Sequence, residues 1–470
     1  MKHSPVRYVK ASVAISAYGS ALAMFALAWL SYQISGSLLI SILVLSAGAL
    51  PSLVLMKTSA EITQRFDVRV LCANLLWIKV GVFVLLALLI QLGYISVWLL
   101  LIGALFVGVL IALFTPSYNL ILRSVAPPGQ LDKLDASLAT WVAGATIIGL
   151  ISGGLLMNTL GAPAVFLINS STYLPMIFVF MRLPAVDTKK PIDHDSEMGL
   201  RATIGLISGT SLLRRVVLFT VIFQLLAWPL TRIFQHVAKL VLDNPLTFSM
   251  LLVSFQIGAL LVGPVLTISE KRATYSKIVQ RTSLILVLAL ILVAVAGGLP
   301  GGAIQLALIM VVLIPFGLAV NLSAALLQAC MQVGSPDTRE PAILAIYAGC
   351  ISLVGFIGTL AISALVSFVS LWIILAVEGV LLGLLMIVAN RTRWFADLDA
   401  AESDAGTTAI DRIRRHHNGR LRYGFASFGH SLEPLSVGHH RTREEAHGAG
   451  RAADPGNPPV SGTGLTNPPG

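Results

Sequence analysis

Apolar runs long enough to cross a lipid bilayer recur along most of this 470-residue chain. A transmembrane helix needs about 20 consecutive, predominantly apolar residues. Twelve such runs occupy positions 12–35, 37–56, 70–93, 95–116, 136–160, 163–182, 216–238, 245–268, 278–298, 303–328, 342–367 and 370–390. Only 11% of the residues are charged and the mean hydropathy is +0.85, values outside the range of soluble domains. The sequence therefore predicts an all-α membrane protein with twelve transmembrane helices.

The positions of lysine and arginine predict the orientation of these spans. If the N-terminus is cytoplasmic, the inner segments carry basic residues from Lys2 to Arg339, whereas the outer loops SGS, QLGYIS, NTLGAP, GGLPGG and VSFVS carry none. Lys239, after the seventh run, is the exception. Because basic residues stay on the cytoplasmic side, both termini are expected there, in a bacterial inner membrane. The net charge of +10 then reflects contacts with anionic lipid, and no nucleic-acid partner is expected.

A weak internal repeat divides the chain. The polar stretch AVDTKKPIDHDSEMGLR leaves six runs on each side, and a shift of 205 residues (327 minus 122) superposes Leu122 on Leu327, Asp132 on Asp337 and Gly153 on Gly358. Such repeats are typical of transporters built from two parallel halves around a cavity. We expect an N-terminal half at 1–184, a cytoplasmic linker at 185–215, a C-terminal half at 216–390 and a disordered basic cytoplasmic tail at 391–470.

Several stretches resemble one transporter family. They are AISAYGSALAMFALAWLSYQISGS, AGALPSLVL, QRFDVRV, IIGLISGGLL, FLINSSTYL, EMGLR and LLQACMQVGSPDTRE. Together they are similar to major facilitator superfamily transporters, in particular the branch that contains the enterobactin exporter and related transmembrane secretion proteins. The resemblance implies that helices one, four, seven and ten line a cavity and that three, six, nine and twelve form an outer scaffold. It leaves the substrate open, because related chains carry siderophores, macrolides or metals.

The loop between spans two and three departs from the family pattern. Gln64 stands where the family has an aspartate that helps to hold the cytoplasmic side closed, while Arg65, Asp67 and Arg69 remain. A neutral residue loses a charge–dipole interaction of about 0.3–1 kcal/mol, so a weaker inner gate is expected. Alternatively, the loop only obeys the positive-inside rule. The resemblance implies that the corresponding residues of the second half are Asp337 and Arg339.

Glycines in the fifth run predict close helix packing. The candidates are Gly144, Gly149, Gly153 and Gly154, two of which stand four residues apart in the pattern that lets helix backbones approach. Exporters of the family often carry a proline after the first glycine of this motif, where this chain has Leu150. The motif therefore supports packing more strongly than it supports a direction of transport.

The seventh run carries an unusual number of polar residues, in the stretch FQLLAWPLTRIFQHVAKL. Gln224, Trp228 and Arg232 recur at helical spacing, and Gln235 or His236 and then Lys239 continue the pattern, although Pro229 breaks the backbone ladder locally. An arginine facing lipid costs about 2.5–3.5 kcal/mol near the membrane centre, so we predict that this stripe lines the cavity. Its positive charge favours an anionic or chelating substrate. In the alternative interpretation, its outer residues reach the interface, which we expect of Lys239.

Other polar residues within the spans are additional candidates. Gln256 and Asn321 could bind substrate, and Tyr32 and Gln33 are weaker candidates, although each could equally hydrogen-bond between helices. Glu378, in the twelfth run, is the one carboxylate well inside a span and a possible proton carrier. Its peripheral helix, like that of Lys79 in the third run, makes this role harder to support.

Together with these patterns, the family resemblance implies a secondary-active exporter of a small polar or anionic metabolite, and it is mainly the resemblance that favours a siderophore. The alternatives are macrolide or multidrug efflux, and nickel or cobalt efflux suggested by six histidines in the tail; a non-transporting membrane sensor has no positive support. The tail histidines are dispersed, and the three cysteines fall in spans, so no metal site and no cofactor are expected. No catalytic set is apparent, so an enzyme is not expected. The expected partners are substrate, lipid and a coupling proton, and we expect a monomer.

Overall fold

The computed structural model describes residues 4–127, 131–184, 200–227, 230, 233–269, 275–335 and 340–391. These residues form helices and short connections, without a strand among them. The predicted all-α fold is therefore confirmed. Residues 185–199 of the linker expected at 185–215, and nearly all of the tail expected at 391–470, lie outside these ranges.

Eight helices lie in the part of the chain described before the polar linker, at 4–127 and 131–184. Several begin where a side chain caps the first turn: the Ser37 and Ser96 hydroxyls and the Asp67 carboxylate accept hydrogen bonds from backbone N–H groups of α2, α6 and α5. The helices are α1 Ser4–Ser35, α2 Leu38–Ala47, α3 Leu50–Val54, α4 Met56–Arg65, α5 Val68–Gln91, α6 Val97–Val125, α7 Leu131–Thr172 and α8 Leu174–Arg182.

Nine helices occupy the described residues from Leu200 onwards, and the first two of them begin within the expected linker. The Asn244 side chain caps α12 by accepting a hydrogen bond from Leu246 N–H, and Pro245 stands at the first turn, where its missing N–H is harmless. The helices are α9 Leu200–Gly209, α10 Ser211–Ala227, α11 Phe234–Val241, α12 Pro245–Leu260, α13 Val262–Ser269, α14 Tyr275–Gly297, α15 Ala303–Gly334, α16 Glu340–Leu365 and α17 Leu371–Arg391.

The expected count of twelve spans is not reproduced helix by helix. Within the described ranges, nine helices are long and apolar enough to cross a membrane, or ten if a bent pair at Thr203–Gly209 and Leu213–Ala227 is one span. The predicted spans five and six fall in one helical run, Ser137–Arg182, and span two is reduced to the shorter Leu38–Ser52. Hydropathy marks apolar length, but it does not detect where the backbone bends.

One such bend lies within α7. Gly161 has φ 77° and ψ 176°, a left-handed conformation that interrupts the helix and that side chains other than glycine rarely adopt. Pro163 follows, and it cannot supply a backbone donor to the preceding turn. The chain is therefore kinked between the predicted fifth and sixth spans.

Large apolar side chains cover the outside of the helical bundle. Phe178, Leu288 and Val311 are among many that are more than half exposed. In water such a surface would drive aggregation, whereas hydrocarbon solvates it, so the exterior is that of a membrane-embedded bundle.

Candidate substrate path and seam

The polar stripe predicted on the seventh span does not lie on one continuous helix. α10 ends at Ala227, α11 begins at Phe234, and Leu230 and Ile233 between them are not α-helical. The helical spacing assumed from Gln224 to Lys239 is therefore wrong, because it applies only within an unbroken helix. The lining of a cavity by these residues stays a prediction. Two of its members, Trp228 and Arg232, lie outside the described residues.

Before the break, Gln224 points into the protein. Its side chain is 4% exposed, and its Oε1 accepts no hydrogen bond within the described part of the chain. An unsatisfied buried amide is uncommon, and it has a larger energetic cost than a satisfied one. The helix that carries it packs on α15, α16 and α17, so Gln224 lies among the helices of the C-terminal half.

After the break, the remaining polar residues contact the N-terminal half. Tyr32 Oη and His236 Nδ1 form a hydrogen bond of 2.5 Å, with the two rings edge to face. Gln235 Nε2 donates to Ser41 Oγ over 3.4 Å, and both of these side chains are buried. Lys239 Nζ lies 5.2 Å from the centroid of the Tyr32 ring, in a cation–π contact. These residues join α11 to the end of α1 and the beginning of α2.

A second group of contacts joins the same halves through α7 and α12. Ser249 Oγ donates to the carbonyl oxygen of Leu150 over 2.6 Å. Phe248 stacks on Phe25 and on Trp29, with ring centroids 4.8 and 5.9 Å apart. Both groups together are called the seam: Tyr32 with His236, Ser41 with Gln235, and Leu150, Phe25 and Trp29 with the start of α12.

Three of the four packing glycines lie against a neighbouring helix. A Cβ at Gly149 would stand 2.7 Å from the Tyr18 carbonyl oxygen, and one at Gly153 would stand 3.1 Å from the Phe25 ring. A Cβ at Gly154 would overlap the Ser249 side chain across the seam. Gly144 differs, since a Cβ there would meet no described atom within 4 Å. The structure thus gives a packing contact to every candidate except Gly144.

The other proposed binding residues lie on a closely packed helix pair. Gln256 on α12 is half-buried, and its Oε1 has no partner among the described side chains and backbone. Asn321 on α15 is half-buried and donates to the Gly317 carbonyl oxygen over 2.8 Å. The two helices approach closely because Gly258 and Gly317 face the partner backbone. Gln256 therefore has unused hydrogen-bonding capacity, whereas the Asn321 amide nitrogen is occupied within its own helix.

The predicted gating residues form a local arrangement. Arg69 and Asp67 make an ion pair of 2.6 Å, and Arg69 also donates to the Leu183 carbonyl oxygen after α8. Hydrogen bonding to Arg69 lowers the pKa of Asp67 below its usual value. Arg65 is exposed at the end of α4. Gln64 belongs to the same helix, but its side chain, like Asp337 and Arg339, lies outside what the structure describes.

Glu378 is deeply buried. It is 5% exposed on α17, and its Oε2 has no hydrogen-bond partner within the described ranges. Its neighbour Gly379 packs against Leu290 and Val287 of α14. Lys79 of α5 is half-buried, with its Nζ 4.8 Å from the centroid of the Tyr173 ring. Lys79 in the N-terminal half and Glu378 in the C-terminal half thus both lie inside a span.

Sequence reasoning missed the contact between Tyr32 and His236. Tyr32 was a weak cavity candidate and His236 one of two candidates to continue the stripe, whereas together they bridge the halves. The two residues are 204 positions apart, and no periodicity connects them. Two polar aromatic side chains near the outer ends of spans one and seven were the available signal.

The fold and the paired halves define a membrane transporter of the major facilitator type. In fold, the chain resembles a bacterial homologue of the human lysosomal transporter Spinster in an inward-facing conformation, with a TM-score of 0.61, 12% identity, and 92% and 93% of the two chains covered. It also resembles the inward-open xylose transporter XylE from E. coli, with a TM-score of 0.58, 12% identity, and 82% and 95% coverage. A bacterial homologue of the iron transporter ferroportin is similar with a TM-score of 0.61 and 13% identity, and the match covers 83% of this chain and 98% of the homologue.

The sequence identifies the family more narrowly. The profile of the transmembrane secretion effector family matches residues 1–411, so the chain belongs to that family. No curated protein matches. The predicted membership of the major facilitator superfamily is confirmed. The low sequence identities to the solved structures show a similar fold and nothing further.

Proposed function

We propose that this chain is a secondary-active exporter of the bacterial inner membrane, with both termini cytoplasmic. It moves a small polar or anionic metabolite by alternating access. The observation that carries this proposal is the seam, which ties the two halves together at one end through Tyr32, His236, Ser41, Gln235 and Ser249. Alternating access by rocking of one half against the other requires contacts between the halves that form and break together. The family's description as a secretion effector supports the outward direction.

The substrate side of the proposal rests on buried polar groups. Gln224 and Gln256 each present an amide oxygen without a partner in the described chain, and a bound substrate would supply one. Arg232 and Trp228 are proposed to extend this path, and the arginine favours an anionic or chelating cargo such as a siderophore. Macrolide or multidrug efflux remains an alternative, as does nickel or cobalt efflux.

The coupling ion is proposed to be a proton, with Glu378 as its carrier. Glu378 is buried inside a span and its Oε2 has no hydrogen-bond partner in the described chain, and carboxyl groups at such positions commonly serve as proton relays in transporters. Protonation cancels the charge and deprotonation restores it, and this difference can bias the two conformations of a transporter. The peripheral position of α17 means that such a proton acts through packing against α10 and α14.

The first experiment compares metabolite profiles with and without the gene under iron limitation. Mass spectrometry of culture supernatant and cell extract should show one chelating metabolite depleted outside and accumulated inside when the gene is absent. Identical profiles would exclude siderophore export and move the test to macrolide and nickel sensitivity.

Replacing Arg232 with alanine should stop efflux at an unchanged protein level in the membrane, whereas a variant with full efflux would remove Arg232 from the path.

A further inference from the structure

A cavity of 500 Å³ lies beside the seam, and both halves contribute to its wall. We call it the vestibule; its polar and aromatic lining comprises Trp29, Tyr32, Gln33, Asn158, Lys239 and Asp243. Ligand pockets usually have volumes of about 300–1,000 Å³, aromatic walls and a few placed polar groups. The vestibule has each of these features, and its lining does not include Gln224 or Gln256 of the proposed substrate path.

The vestibule contains two opposite charges that do not neutralise each other. Lys239 Nζ and the Asp243 carboxylate both line it, yet neither makes an ion pair within the described part of the chain. Lys239 instead rests on the face of the Tyr32 ring. An exposed cation–π contact contributes only about 0.5–1 kcal/mol, so a ligand carboxylate can displace it.

The backbone at Asp243 supports a functional interpretation. Its φ is 44°, and it is the one non-glycine residue with positive φ in the described ranges. Such a conformation is tolerated by Asp and Asn but usually costs free energy, and strained residues cluster at binding sites. The bend follows shortly after α11, and Asp243 lines the same cavity as Lys239.

We propose that the vestibule binds a small zwitterion with an aromatic ring. The ligand carboxylate pairs with Lys239 and its ammonium group pairs with Asp243. Its ring lies along the part of the wall to which Trp29 and Tyr32, each 4% exposed, contribute small areas. Gln33 and Asn158 are exposed at the wall and can hydrogen-bond either end. This inference rests on the proposed function only for the side of the membrane on which the vestibule lies. Binding of the ligand does not itself require transport.

The test dissects the two charges with three compounds that share a skeleton. They are L-phenylalanine, 3-phenylpropanoate, which lacks the ammonium group, and phenethylamine, which lacks the carboxylate. Binding is measured by calorimetry on the full chain in lipid nanodiscs, with empty nanodiscs as the blank. Phenylalanine should bind about tenfold or more tightly than either analogue, because charge-assisted hydrogen bonds stabilise each end.

Two variants assign the charges. Lys239→Gln should weaken phenylalanine and 3-phenylpropanoate about tenfold and leave phenethylamine unchanged, while Lys239→Arg should restore binding. Asp243→Asn, which keeps the tolerated backbone conformation, should weaken phenylalanine and phenethylamine only. Lys277→Gln, at an exposed lysine of α14 remote from the vestibule in sequence, is the matched control. Thermal unfolding of each variant verifies that it is folded.

Either of two results overturns the proposal. One is a folded protein that shows no binding of millimolar phenylalanine. The other is binding that Lys239→Gln and Asp243→Asn leave unchanged. Failure of the export experiment is distinguishable, because the charge pattern can be present in nanodiscs when no exported metabolite is found, and export can persist when the pattern is missing.

Discussion

The seam and the interior of the C-terminal half use polar residues in opposite ways. In the seam, Tyr32, His236, Gln235 and Ser249 each have a hydrogen-bond partner in the other half. In the interior, Gln224, Gln256 and Glu378 each leave an oxygen without a partner in the described chain. Satisfied contacts between halves stabilise one conformation, whereas unsatisfied buried groups are suited to binding something that arrives later. The comparison separates residues that stabilise one conformation from residues that are available to bind a substrate or a proton.

The internal repeat provides a matched position for this comparison. A shift of 205 residues (378 minus 173) relates Glu378 of α17 to Tyr173, which immediately precedes α8. The packing agrees, because Tyr173 lies against Phe83 of α5 and Gly379 lies against Val287 of α14. Tyr173 contacts Lys79 and lies 3.5 Å from Ser20, so its hydroxyl is partnered. The N-terminal half thus has a partnered phenol where the C-terminal half has an unpartnered carboxyl group.

The largest expected effect is on proton coupling. Glu378→Gln should reduce transport driven by a pH gradient at least about tenfold, because the amide cannot take up a proton. Exchange of substrate across the membrane without a gradient should persist. The measurement is proton flux in proteoliposomes with a pH-sensitive dye. Tyr173→Phe, at the matched position, should change coupling little, and equal losses in both variants would mean that the two positions do not differ as described.

The next largest effect is on the stability of the seam. Gly154→Ala should destabilise the protein by about 1–3 kcal/mol, because its Cβ would overlap Ser249. The readout is the apparent melting temperature in detergent micelles. Gly144→Ala is the control in the same helix, and it should be neutral or slightly stabilising because its Cβ meets open space. A melting temperature unchanged by Gly154→Ala would show that the halves do not pack at this point.

A smaller effect is expected when one hydrogen bond of the seam is removed. Tyr32→Phe keeps the ring but loses the contact with His236, a change of about 0.5–1.5 kcal/mol. The population in which the seam is open should rise roughly two- to tenfold. Spin labels at exposed Ile40 and Leu240 report this population as a distance distribution. Tyr94→Phe, at a 70% exposed tyrosine, is the control. Identical distance distributions in the unmodified protein, Tyr32→Phe and Tyr94→Phe would show that this hydrogen bond does not control opening of the seam.

The smallest effect is expected at an unpartnered group outside the proposed path. Asn169 is fully buried, and neither its oxygen nor its amide nitrogen has a partner in the described chain. Asn169→Leu should therefore leave the melting temperature unchanged or raise it, because a buried unsatisfied amide is replaced by an apolar group of similar size. A clear decrease would show that Asn169 is hydrogen-bonded in the membrane, and would weaken the same interpretation of Gln224 and Gln256.

Much of the fold could be predicted from the sequence, and the candidate site less so. The apolar runs and the repeat predicted the helical membrane fold because the length of an apolar segment follows directly from bilayer thickness. The exact span count did not follow, since the bend at Gly161 and the broken second span depend on local backbone geometry. The helical spacing assumed for the stripe failed at the interruption between Ala227 and Phe234, although Pro229 was a visible signal.

The sequence by itself determined that the chain is a helical membrane protein of two related halves, and which few polar residues lie within its spans. Only the tertiary structure decided their roles. It joined Tyr32 to His236 across the two halves and left Glu378 without a partner in the described chain. The physical reason is that apolar length and charge asymmetry are local properties of a sequence in a bilayer, whereas hydrogen-bond satisfaction depends on which helices pack together.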